Sequence, residues 1–192
     1  MRMFSKKSTV KLFLAVLSVG LASGYFLASG REISVQSDHV LFKDADELTK
    51  HADLIIIGET AADFSMGKPT VTYTSEGRIA DFYTVGEVKP SRVFKGQSPG
   101  RTIPVLQAAV LLARPYKASK DLLINEDVTL MEKGQKYLLF LKQTDLPGVY
   151  SIVSLNQGKF NIDNLDLREK EMELRDEQFK TLKQNVLNKF LR

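Results

Sequence analysis

Asp53-Leu54-Ile55-Ile56-Ile57-Gly58-Glu59-Thr60 decides the fold. Its continuous β-branched run has no polar face, so it reads as a strand buried on both faces or at a barrel corner. The β-branched residues favour a pleated backbone, and Gly58 marks a bend. Just upstream, Asp44 and Glu47 form an acidic capping box for a short helix whose apolar side is Leu48 and Ala52.

Similar residue types recur downstream at even spacing. Thr70 to Thr74, set among Gly67, Pro69, Ser75 and Gly77, reads as a ragged or edge strand. Phe82 to Val88 is a strand ended by Pro90, with a short continuation at Arg92 to Gly96, and a turn at Pro99-Gly100 leads into Thr102 to Leu106. Glu132-Lys133-Gly134-Gln135 turns the chain into Lys136 to Lys142, the second clear core strand; Val149 to Val153 and Lys159 to Ile162 follow after further turns. The pattern predicts a mainly β chain with flanking helices, an α+β arrangement around a small antiparallel barrel over residues 44–163.

Residues 164–192 predict one long amphipathic helix packed on the barrel, running from about Asp166 to Leu191. Asp166 and Glu169 form its capping box, and Phe179, Leu182, Val186 and Phe190 form its apolar stripe. Asn161-Ile162-Asp163-Asn164-Leu165-Asp166 carries oxygen ligands without EF-hand spacing, so it reads as a turn and a helix cap.

At the other end, Leu12 to Gly30 is uncharged and mostly apolar, and it follows Arg2, Lys6, Lys7 and Lys11. The length fits a membrane anchor with the N-terminus inside and the C-terminus outside at the cell membrane. The alternative is a signal peptide cleaved near Ala22-Ser23-Gly24 or Ala28-Ser29-Gly30, giving a secreted protein. Residues 31–43 read as a polar spacer. Of 27 Lys and Arg, four precede Arg31 and no acid does, so the remainder has 23 charges of each sign. The net charge of +4 is therefore topology, and a nucleic-acid partner is not expected. With no cysteine, the core must hold without disulfides.

Ala52 to Gly58, then Tyr83 through Val93-Phe94-Lys95-Gly96, then Gly134 to Leu141 together resemble the netrin-like OB barrel of tissue inhibitors of metalloproteinases, also seen in bacterial surface proteins. The resemblance covers roughly Asp44 to Asp163 and implies an OB-type barrel. Those inhibitors chelate a protease zinc through an N-terminal cysteine; this chain has none, so inhibition is not carried over. The apolar run Leu106 to Ala113 also departs from the family, where a polar connection is expected. Its last part, Val110, Leu111, Leu112 and Ala113, is either ordinary core or an exposed partner patch.

The inventory for catalysis is thin: the only histidines are His39 and His51, and no catalytic residue, cofactor-binding residue or metal ligand is nominated. Ser65-Met66-Gly67-Lys68-Pro69-Thr70 looks like the serine motif of type I signal peptidases with one residue too many. A Ser65 hydrolase would need a neutral lysine, for which Lys89, Lys95 and Lys136 are candidates. The sequence thus points to a membrane-tethered or secreted non-enzymatic binding module for an extracytoplasmic protein or envelope polymer. The alternatives are the serine-lysine hydrolase and an envelope assembly factor acting through its anchor helix, Leu12 to Gly30.

Overall fold

The computed structural model describes residues 30–36, 40–116, 119–126 and 128–192. The anchor or signal reading of Leu12 to Gly30 therefore lies outside the described residues except for Gly30, and so does His39. No helix among the described residues is long and apolar enough to cross a membrane.

Among the described residues, ten strands and three α-helices follow in the order β1 (Glu32–Val35), α1 (Ala45–His51), β2 (Leu54–Thr60), β3 (Lys68–Tyr73), β4 (Ile79–Lys95), β5 (Ile103–Gln107), β6 (Ala109–Ala113), β7 (Lys120–Asn125), β8 (Lys136–Gln143), β9 (Tyr150–Ile152), β10 (Lys159–Asn161), α2 (Leu167–Arg175) and α3 (Glu177–Phe190). Five strands close a barrel in the order β2-β4-β5-β9-β8, with β8 pairing back to β2. β3 extends the sheet from β4, and β10 pairs with β8. The expected barrel is present, with one correction: it is not wholly antiparallel, because β5 and β9 pair in parallel over Val105 to Tyr150 and Leu106 to Ser151.

Burial on both faces explains the unbroken apolar runs. In β2 and β8, Leu54, Ile56, Tyr137, Leu139 and Leu141 fill the barrel with Val88, Ile103, Val105 and Met131. The alternate residues Ile55, Leu138 and Phe140 face outward into a second core with Leu48, Phe160, Phe179, Leu182 and Val186. The helices are thus seated on the outside of the same strands whose other face fills the barrel. Pro90 does not end β4: it lies opposite Gly58 beside a register shift, so one long strand absorbs the residue that lacks an N–H.

Two further expectations need correction. The C-terminal helix is broken at Asp176, whose side chain accepts from the Phe179 N–H and starts a new helix. Residues 31–43 are not a free spacer: β1 runs parallel to β7, and Phe42 is buried in the outer core. β1, β7 and β6 form a separate sheet, in which Val110 and Leu123 pack on Phe82 with Val71 and Leu112 alongside. Val110 is 1% exposed, Leu111 and Leu112 are half-buried, and only Ala113 is exposed. The candidate patch is mainly the inner side of this small sheet.

Candidate functional site

A groove of about 760 Å³ opens between the barrel mouth, the chain near Leu41 and helix α2. Its floor carries Val128, Thr129, Leu155 and Asn156, and Arg168, Glu171 and Arg175 stand along α2 at its rim. Those four floor residues also line an adjoining cleft of about 90 Å³, bounded by Leu106 and Gln107 of β5 and Ser151 and Ile152 of β9. The β5–β9 ladder is only two residue pairs long, and the cleft lies beside it. Ligand sites commonly occupy such barrel mouths, in pockets of about 300–1,000 Å³.

The ridge between cleft and groove is made from strained backbone. Ser154 and Leu155 are both left-handed, at φ 49° and 54°, a conformation that costs a non-glycine residue about 1–2 kcal/mol. The turn is held from all sides. Ser154 Oγ donates to the Val40 carbonyl, the Phe42 N–H donates to Gln157 Oε1 at 2.6 Å, and Gly158 sits where a methyl would meet the Val153 and Phe140 backbone. Strain retained under such constraint is typical of ligand-facing turns. Here it positions Leu155 in the lining of both hollows.

Asn156 is almost fully buried. Its Oδ1 accepts from the Thr129 N–H at 2.9 Å and the Thr129 hydroxyl at 3.2 Å, while among the described residues its NH₂ donates only to the Met172 thioether at 3.4 Å. A sulfur is a weak acceptor, so the amide retains donor capacity at the groove floor.

Behind Thr129 lies a buried ionic array. Lys159 Nζ donates to Thr129 Oγ1 at 2.7 Å and to Asp166 Oδ2 at 3.3 Å, and stands 3.6 Å from Glu169 Oε2. Glu169 Oε1 accepts from the Asn161 N–H and from Lys183 Nζ, each at 2.7 Å; Lys183 also reaches Glu173 at 2.7 Å. Burial works against the Lys183 ammonium, but the Glu169 and Glu173 carboxylates outweigh it and hold its pKa above the ordinary lysine value. Tyr137, whose hydroxyl lies 3.1 Å from Asp166 Oδ2, is pushed up by burial and by the nearby carboxylates. The array fastens α2 and α3 to β8 and β10. Sequence reading missed it because Lys159 in Lys-Phe-Asn looks like the outward residue of an ordinary strand.

Ser65 lies elsewhere, in a 3₁₀ turn, with its hydroxyl donating to Asp63 Oδ1 at 2.7 Å. Lys95 caps α1 by donating to the Thr49 and Ala52 carbonyls. Neither Lys89, Lys95 nor Lys136 bonds Ser65. His51 packs at a tilt against Phe42 with centroids 4.7 Å apart, and Asn161 and Asp163 accept backbone N–H groups around the turn before α2. Among the described residues, no cluster of potential metal ligands is present. No protein-family model matches the chain, and a search of curated proteins returns no significant match.

Proposed function

We propose that the chain is a non-enzymatic binding module of the cell envelope, held at the outer face of the membrane by Leu12 to Gly30 and taking its ligand in the groove beside α2. The strained Ser154–Leu155 ridge between cleft and groove carries this reading, because the fold retains an unfavourable backbone there to place one leucine between two hollows. The order β2-β4-β5-β9-β8 with its parallel β5–β9 closure supports an OB-type barrel, and the three strand segments named above support the netrin-like variety. Mixed rim charges, Arg168 and Arg175 against Glu171 and Asp176, fit a protein or a weakly charged envelope polymer better than a polyanion.

The test is recovery of the full chain from its own membranes in mild detergent, beside a Leu155→Asn variant. A protein or polymer enriched with the wild type and lost with the variant is expected; enrichment of nothing by either chain overturns the reading. Labelling by a serine-reactive probe that disappears in Ser65→Ala would replace it with the hydrolase.

A further inference from the structure

We propose that the groove and its adjoining cleft take an extended peptide, with one aliphatic side chain seated in the cleft and an acidic side chain held at Arg168. This rests on the reading of the groove as the binding site and names the chemistry of its occupant. The cleft, of about 90 Å³, is lined mainly by aliphatic groups, Leu106, Val128, Ile152 and Leu155 among them. A cavity that admits benzene measures about 150 Å³, so this one suits a leucine or valine side chain and is too small for an aromatic ring. It opens beside the short parallel ladder of Val105 with Tyr150 and Leu106 with Ser151.

Asn156 supplies the polar anchor. It is 6% exposed and lines both hollows. Thr129 occupies its Oδ1, whereas among the described residues its NH₂ meets only the Met172 sulfur, which leaves an N–H for a peptide carbonyl. An aliphatic pocket next to a main-chain hydrogen bond is the means by which a groove reads an extended chain, whose side chains alternate while its carbonyls stay within reach.

The rim charges select an acid on the α2 side. Arg175 stands 3.9 Å from Glu171, and the Asp176 carboxylate accepts from the Phe179 N–H, so these groups have partners. Arg168 is exposed at the rim and, among the described residues, has no ion pair. It lies in the first turn of α2, where the helix dipole disfavours a cation and favours an anion beside it. Other occupants fit less well. The only aromatic residue lining either hollow, Phe179, is 2% exposed and offers no face on which a sugar or base could stack. A long acyl chain would leave the apolar cleft at Leu155 and run among Glu32, Arg168 and Glu171.

The test is an array of synthetic octapeptides in a glycine-serine background. One position carries leucine, valine, alanine, phenylalanine or tryptophan, and a second, one to four residues away on either side, carries aspartate, serine or lysine. The full chain in mild detergent is applied beside its Leu155→Asn and Arg168→Glu variants. Peptides joining leucine or valine to aspartate should be retained, and Leu155→Asn should lose them. Alanine in place of leucine should weaken binding by up to about 60-fold, for three buried carbons at roughly fourfold each. Arg168→Glu should move the preference from aspartate to lysine by up to about fivefold, the reach of an exposed ion pair, whereas a merely unsettled fold would weaken every peptide alike. Preference for the aromatic peptides, an aspartate preference that survives Arg168→Glu, uniform weakening by that variant, or retention of no peptide overturns the proposal. If no peptide is retained while recovery from membranes still yields a polymer that Leu155→Asn loses, the groove is the site and its occupant is not a peptide. If that recovery also yields nothing, the groove reading itself falls.

Discussion

Glu169→Gln should destabilise the fold by about 3 kcal/mol, an expectation drawn from what the carboxylate touches. Glu169 is fully buried; Oε1 accepts from Asn161 and Lys183, and Oε2 faces Lys159 at 3.6 Å with no hydrogen bond. The amide keeps the shape, so no cavity opens. What is lost is the charge that balances two buried ammonium groups, and if Oε1 keeps its donors the new NH₂ points at Lys159. Removing one partner of a buried pair costs about 3–5 kcal/mol. The lower end applies because Lys159 keeps Asp166 and Lys183 keeps Glu173. In a domain of this size that corresponds to a Tm lower by about 6–12 °C. Urea unfolding should show a lower midpoint at unchanged slope. Joining Glu169→Leu to Lys183→Met should recover most of the loss caused by Glu169→Leu alone, because replacing a whole buried pair by apolar groups is often neutral. A Glu169→Gln change within about 0.5 kcal/mol of wild type, the range of an ordinary surface substitution, would refute the reasoning.

Three other outcomes follow from the same geometry. Lys183 and Tyr137 both bind their protons more tightly folded than unfolded, so their contribution is complete below the ordinary values of 10.5 and 10.0 and is lost as pH climbs past them. The urea midpoint should fall between about pH 9 and about pH 11, and a flat or rising midpoint counts against the array. Leu155→Asn loses about 1 kcal/mol of partial apolar burial and regains about as much by placing a residue that tolerates left-handed backbone at φ 54°, so stability should move by less than about 1 kcal/mol while ligand capture is abolished. A large stability loss in thermal melts would mean that Leu155 is structural. Gly30→Ala should release β1, because the added methyl meets backbone on β7; faster hydrogen exchange at the Leu122 amide checks this, and unchanged protection would place Gly30 elsewhere.

The parts of the fold legible in the sequence are those where local chemistry and tertiary burial agree. β2 and β8 show as continuous apolar runs because both of their faces are covered, and the Asp44 and Asp166 caps are visible because capping is decided within one turn. β1 and β7 are not legible. Glu32–Val35 is short and exposed along its length, and it is a strand only because Asp121, Leu122 and Glu126 take its backbone and that of its flanks. Pro90 misleads for a related reason: its missing N–H would end an isolated strand, but a register shift opposite Gly58 accommodates it. The candidate site is less legible still. The groove is assembled from β1, the chain at Leu41, Val128 and Thr129, the turn after β9 and α2, so no one segment carries its pattern. The left-handed Ser154 and Leu155 have no glycine or asparagine to announce them.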